Sequence, residues 1–263
     1  MTAARVRGWL LRTWVALVFG FLMLPVVVIA LASFSRTSYL TVPPKGLTLR
    51  WFGAVLGDPE YLHAIGFSLG LAVLATVGSL VAGVAASYAL LRRRVPGGAL
   101  VSAVLNAPLI FPGVVVGVAL LQLYALVHLN GTLIGLALAH MVITVPYVVR
   151  AVMASLQGID PDLESAARVL GASGPVAFFT VTLPLIRPGI AAGALFSFIV
   201  SFDNVPVSIF LLGAGQMTLP VKIFTAIEYG VDPSIAAIST MLIALTAVGL
   251  AAAERWIGFH RFV

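Results

Sequence analysis

Between Val95 and Val149 this chain carries no Asp, Glu, Lys or Arg. A helix of about 20 apolar residues crosses a hydrocarbon core about 30 Å thick, so this one run is long enough to cross twice. The remainder agrees with it. Of 263 residues, 61% are hydrophobic and 9% charged, whereas a soluble domain carries about a quarter charged. In lipid the backbone must satisfy its own hydrogen bonds, which favours helices. The expected fold is all-α and polytopic, with residues 1–263 forming a single transmembrane domain.

Six segments qualify as spans: 14–32, 65–91, 100–127, 133–153, 188–212 and 234–253. The third and fourth should form a hairpin through His128-Leu129-Asn130-Gly131, a short turn signal. The basic residues orient them. With the N-terminus inside, Arg5, Arg7, Arg12, Arg92, Arg93, Arg94, Arg150, Arg168, Arg187, Arg255 and Arg261 are cytoplasmic, and only Arg36, Lys45, Arg50 and Lys222 are outside. Eleven against four places both termini, and the polar loop 157–187, in the cytoplasm. The first apolar run is long for a signal peptide and is expected to be retained.

Net charge is +6, but the basic residues sit at span ends rather than in a phosphate-binding patch, so no nucleic-acid partner is expected. Cysteine is absent, which excludes disulfides, thiol catalysis and Cys-based metal sites. No Gly precedes a Lys, so there is no G-x-x-x-x-G-K-[ST] phosphate loop. No catalytic residues, metal or cofactor are expected in this chain, and any ATP chemistry must come from another. Gly66/Gly70, Gly113/Gly117, Gly131/Gly135 and Gly189/Gly193 are G-x-x-x-G pairs that let helices approach closely, read here as intramolecular packing.

The polar interruption from Asp160 to Arg187 points furthest toward function. Asp160 suits an N-cap, Pro161 a first helical position, and Asp162 the first turn. Leu163, Ala166, Ala167 and Leu170 share one stripe at i, i+3, i+4 and i+7. Glu164 and Arg168 stand four apart in the favourable order, and Gly171 offers a left-handed stop. A second helix should begin near Pro175 and break at Pro184. Interfacial helices on lipid carry basic polar faces and bulky apolar ones. This one carries acids and alanines, which favours a protein partner.

Ser165-Ala166-Ala167-x-x-x-Gly171, nine residues, then Val181-x-Leu183-Pro184 resembles the E-A-A-x₃-G-x₉-I-x-L-P loop of permease subunits of type I ABC importers. Ser165 stands where the family has Glu, with Glu164 adjacent. Leu49-Arg50-Trp51-Phe52 and Arg92-Arg93 are similar to the family's framing of its core. Ser201-Phe202-Asp203-Asn204 and Leu219-Pro220-x-Lys222-Ile223 look like the spermidine/putrescine-type subgroup, with Asn204 in place of a second carboxylate. The resemblance implies a bacterial inner-membrane permease subunit with six transmembrane helices, forming half of a substrate pathway. It implies as partners two copies of an ATP-binding subunit docked on Asp160–Gly171, a second, non-identical permease, an extracytoplasmic solute-binding protein, and membrane lipid. The substrate it suggests is a polyamine or another small cationic or amine-bearing solute. The alternative is a secondary transporter or channel driven by an ion gradient, for which several intramembrane ionisable residues would be wanted.

Asp203 is the only acidic residue inside an expected span, about 4.5 Å past the midpoint of 188–212 at the helical rise. A carboxylate there costs about 3 kcal/mol on insertion scales, so it should face a cavity or a partner. Two readings stand: Ser201, Asp203 and Asn204 line a pathway, or they form an interhelical polar contact or gate. His140 has no second ionisable group in its span and reads as a hydrogen-bonded helix contact rather than a proton relay. Leu219–Glu228 could form a short amphipathic helix, either meeting a binding protein or packing at the interface.

Overall fold

The computed structural model describes residues 3–93, 95–230 and 232–257. Its helices are α1 Ala3–Ser33, α2 Arg50–Gly57, α3 Pro59–Arg92, α4 Gly98–Asn106, α5 Gly113–Leu126, α6 Leu133–Gln157 and α7 Asp162–Val169. They continue with α8 Gly174–Ala177, α9 Leu183–Leu185, α10 Arg187–Phe202, α11 Ser208–Leu211, α12 Leu219–Tyr229 and α13 Pro233–Ile257. A 3₁₀ turn, Ala107–Leu109, extends α4, and a π-helical turn, Phe178–Thr182, joins α8 to α9. Among the described residues the only extended pairing is an isolated bridge, Ser35–Leu47.

The chain divides into two compact units, Met1–Leu62 with Ile223–Val263, and His63–Lys222. In the first, α13 packs on α1 and on α2. Most of the α1 side chains, among them Trp14, Phe21 and Leu24, are exposed, as lipid-facing residues are. The connection from α1 to α2 is held by Thr48 N–H on Phe34 O (2.9 Å) and Trp51 Nε1 on Ser35 O (2.8 Å). Phe34 packs on Phe52 with ring centroids 5.2 Å apart.

In the second unit α6 is the central post. Val148, Val152 and Leu156 are fully buried and form a core cluster with Ile186. Val148 is where three helices meet. A Cβ on Gly83 of α3 would lie 2.6 Å from Val148 Cγ1, and one on Gly193 of α10 would lie 3.1 Å from Val148 Cα. Gly189, one turn earlier on α10, faces Ala151 O at 2.7 Å from its ideal Cβ position. The Gly189/Gly193 pair is therefore the seat of α10 on α6. Hydroxyls join α3 to α6 along the same seam: Ser79 Oγ to Thr144 Oγ1 (2.7 Å) and Ser87 Oγ to Val149 O (3.3 Å).

Two of the six expected spans are not continuous helices. Residues 100–127 are split into α4 with its 3₁₀ turn and α5, bent by 110°. Pro108 and Pro112 each remove a backbone donor there, and Pro112 sits in an extended conformation before α5. The expected span 188–212 stops at Phe202, and a further bend of 71° separates α10 from residues 174–185. That bend follows Ile186 rather than falling at Pro184. The π-turn, whose Leu183 N–H reaches Phe178 O five residues back, carries the chain through Pro184 without ending the helix. Three described helices, Trp9–Ser33, Pro59–Arg92 and Leu133–Gln157, are each long and apolar enough to cross a membrane. Counting each bent pair as one span gives up to five among the described residues, and α13, Pro233–Ile257, is a further apolar helix.

Gly83→Ala should lower the unfolding free energy by about 1–3 kcal/mol, the usual cost of overpacking. Adding Val148→Ala should recover part of that loss, although Val148→Ala alone destabilises. Unfolding of the four proteins in mild detergent closes the cycle, and strictly additive losses would contradict the contact.

Candidate functional site

The helix α7 is built by its two ends. Asp160 Oδ1 accepts the Asp162 N–H at 2.9 Å, so Asp160 does the work of a cap although regular helix starts at Asp162. At the other end Gly171 lies at φ +96°, a conformation that costs glycine nothing. Ala172 N–H bonds Ala167 O at 3.0 Å and Gly171 N–H bonds Arg168 O at 3.0 Å. These are the two bonds of a Schellman stop, closing carbonyls that would otherwise be left open.

Between those ends, none of the eight residues of α7 is buried. Leu163 and Ala166 are exposed and Ala167 half-buried. The stripe ends in a knob: Val169 is 86% and Leu170 89% exposed. Val169 lies off the i, i+3, i+4, i+7 stripe, so the sequence pattern passed over it. Ser165 is exposed, its Oγ 3.4 Å from Pro161 O of its own helix.

Glu164 does not pair with Arg168, as the i, i+4 spacing suggested. It turns inward. Tyr88 donates its hydroxyl to Glu164 Oε1, and Thr182 Oγ1 donates to Oε2 at 2.8 Å. Two directed donors outcompete an exposed ion pair, which is worth only about 0.3–0.5 kcal/mol on a helix surface. Tyr88 is itself set by an edge-on contact with Phe178, centroids 4.9 Å apart. Beside it, Arg92 Nη2 donates to Leu156 O (3.3 Å) and Ile159 O (2.9 Å), capping the end of α6. A cleft of about 140 Å³ lies between α7 and α3, lined by Tyr88, Arg92, Arg93, Glu164, Ser165 and Arg168 among others. Tyr88 and Thr182 carried no signal in the sequence, and Arg92 stood out only as a basic span end, because each acts on residues far along the chain.

The second group of expected site residues lies where α10 ends. Asp203 is not inside a helix but follows Phe202 as the capping residue, with its side chain exposed. Asn204 Oδ1 accepts Val207 N–H (2.9 Å), and Ser208 Oγ donates to Asn204 O (2.6 Å). Together with Pro206, which has no N–H to give, these bonds turn the chain out of α10 and into α11. Ser201 faces the other way, buried against His140. His140 Nδ1 lies 2.8 Å from Ser201 Oγ and Nε2 lies 3.0 Å from Ser208 Oγ, so both ring nitrogens are engaged. A neutral imidazole offers one donor and one acceptor, and a hydroxyl can answer either. The structure thus separates the expected trio, with Asp203 at the surface, Asn204 shaping the turn and Ser201 behind it. Ser208 completes the seam. The described residues hold no group of three or more His, Cys, Asp or Glu suited to a metal ion.

Residues 1–259 match the family of binding-protein-dependent transport system inner membrane components. The chain is 34% identical over 245 residues to the putrescine transport system permease protein PotI of Escherichia coli (strain K12), covering 90% of this chain and 86% of PotI. It is 31% identical over 248 residues to the spermidine/putrescine transport system permease protein PotC of the same strain, covering 94% of each. Its fold is similar to a chain in the crystal structure of a bacterial ABC transporter involved in import of the acidic polysaccharide alginate. There the TM-score is 0.79 at 18% identity, over 97% of this chain and 98% of that one.

The histidine seam is testable in the purified chain. His140→Ala leaves two buried hydroxyls without the ring and opens a cavity, and should cost about 2–4 kcal/mol of stability. His140→Gln, which keeps a donor and an acceptor, should recover part. An unfolding midpoint unchanged by the alanine would show that the seam holds nothing.

Proposed function

The chain belongs to the family of binding-protein-dependent transport system inner membrane components and is a permease subunit of an ABC importer; from that premise we propose that α7 docks a separate ATPase. The family is a transport component of the inner membrane rather than an enzyme. ABC importer permeases work with an ATPase, a binding protein and a second permease. In this reading residues 1–263 act as one permease domain, with both termini and the loop 157–187 cytoplasmic. Two ATPase copies serve a pair of non-identical permeases, and membrane lipid covers the apolar flanks. ATP-driven closure of the ATPase dimer moves α7, and the spans open alternately to each side.

One observation carries the docking reading. A helix with no buried side chain ends in two fully presented aliphatic residues, Val169 and Leu170, fixed by a satisfied glycine stop. Exposed apolar surface at a rigid, capped end suits a groove on a protein better than a water-facing loop. The pathway reading rests on Asp203, whose exposed carboxylate stands at the end of α10 with Asn204 beside it. PotI and PotC are named for putrescine and spermidine transport. A polyamine, or another small amine-bearing cation, is the substrate that suits that carboxylate.

Tagged protein drawn from its native host in mild detergent should bring an ATP-binding subunit with it. Val169→Glu with Leu170→Glu, or bulky residues at Ala167 and Gly171, should remove that subunit while the permease still purifies folded. Retention of the ATPase by both variants would end the docking assignment. For the pathway, Asp203→Asn should lower putrescine uptake into membrane vesicles about tenfold, equivalent to about 1.4 kcal/mol, with the complex intact. Unchanged uptake would remove Asp203 from the path. Loss of uptake and ATPase activity together would make it a gate.

A further inference from the structure

With no fully buried side chain, and only Glu164 and Ala167 half-buried, α7 rests lightly on α8 and the π-turn and gains its directed attachment from polar bonds. Its ends are closed locally, within residues 160–172. Glu164 is the side chain of α7 with hydrogen bonds to other elements: one oxygen takes the Tyr88 hydroxyl near the end of α3, the other takes Thr182 at the close of the π-turn. Both are charge-assisted bonds, roughly twice as strong as neutral ones. Each donor is anchored in turn. Tyr88 packs edge-on against Phe178, the first residue of the π-turn, and the Arg93 guanidinium lies 5.8 Å from its ring centre. Thr182 is buried beside Leu183, which packs against the Val148–Ile186 cluster. On the side toward α3, α7 borders the open cleft.

We propose that Glu164 is a latch, a positioning residue that makes α7, the end of α3 and the π-turn move as one piece. Force applied to α7 then reaches the membrane-spanning helices. Without the latch, the helix would swing on its two connecting segments, Gly158–Pro161 and Leu170–Ser173, and leave the spans behind. The inference rests on the reading of α7 as the ATPase-docking helix, and it adds to that reading the route by which movement leaves α7. A π-turn is in keeping with this place, because such turns inside α-helices recur at functional sites.

The chain contains no cysteine, so a single Ile199→Cys on the exposed face of α10 gives a clean reporter. The rate of its maleimide labelling is measured in native-host membranes holding the assembled transporter, with and without ATP plus vanadate. In the otherwise natural chain, ATP should change the rate. Glu164→Ala should abolish most of that change while the ATPase still copurifies and hydrolyses ATP. Tyr88→Phe and Thr182→Val, each losing one bond, should reduce it about tenfold, the scale of one charge-assisted hydrogen bond. Glu164→Gln, which keeps the shape and can still accept from Tyr88, should lie nearer the natural chain than Glu164→Ala. Glu164→Ala with Tyr88→Phe should be no worse than Glu164→Ala alone. A full ATP response in Glu164→Ala, or a double variant whose losses multiply, would overturn the latch. If Glu164→Ala fails to assemble, Tyr88→Phe decides, since it keeps the ring packing, and an unchanged response there overturns the proposal. Loss of the ATPase from the otherwise natural chain would instead sink the docking reading on which the latch depends.

Discussion

Everything in the larger unit depends on how closely three helices approach at Val148. Lipid gives no hydrophobic drive for one apolar helix to pack on another, so contact distance and buried polar bonds must do it. Gly83 and Gly193 let α3 and α10 close on the same valine from two sides. That proximity brings Ser79 within reach of Thr144 and Ser87 within reach of Val149 O. A helix displaced by one methyl group would lose those hydroxyl bonds as well as the dispersion contacts. The post made by α6 is then tied at two levels: Arg92 caps its Leu156–Ile159 exit, and His140 joins its body to the turn after α10.

Both candidate regions are consequences of that post. The seam at His140 fixes where α10 stops, and so sets Asp203 at a helix end rather than mid-span. The cap at Arg92 fixes the end of α3, and with it Tyr88, which is one turn earlier on the same helix. Glu164 can reach Tyr88 only because α3 and the α6 exit are already joined. The carboxylate that orients the proposed docking helix therefore depends on a contact between arginine and backbone carbonyls several residues away.

Much of α7 was legible in the sequence because capping is local chemistry. Asp160 and Gly171 act within a few residues of themselves, and the structure finds both doing so, while Pro161 stands one place before the regular helix instead of at its first position. Glu164 was misread for the opposite reason. Its partners lie 76 and 18 residues away, and i, i+4 spacing knows only the helix's own face. The bends within the spans were hidden for a third reason. Hydropathy averages over a window and cannot see a bend, so 100–127 read as one helix despite Pro108 and Pro112. The same averaging carried 188–212 through Asn204 and Pro206, although an asparagine that can accept a backbone N–H two residues before a proline is a plausible stop. The glycines were visible as pairs, but the pattern could not show that Gly189/Gly193 meets α6 while Gly66/Gly70 meets nothing within 4 Å.

The position of Ser165 follows from the same division of labour. Where the resembled motif carries a glutamate, this chain places a short hydroxyl that bonds back to Pro161 of its own helix. The acidic side chain one residue earlier is turned into the protein and engaged by Tyr88 and Thr182. A helical step of 100° separates the two positions, so one faces the body of the protein and the other the surroundings. The outer surface of α7 is consequently left to Leu163, Ala166, Val169 and Leu170, with Arg168 and Asp162 at its margin. A groove that accepts such a surface must select it by shape and apolar contact, with charge acting at the rim, where it steers approach more than it adds affinity. Carboxylate and aliphatic knob are thus divided between two faces, one tying α7 inward and the other turned outward, where the proposed partner would meet it.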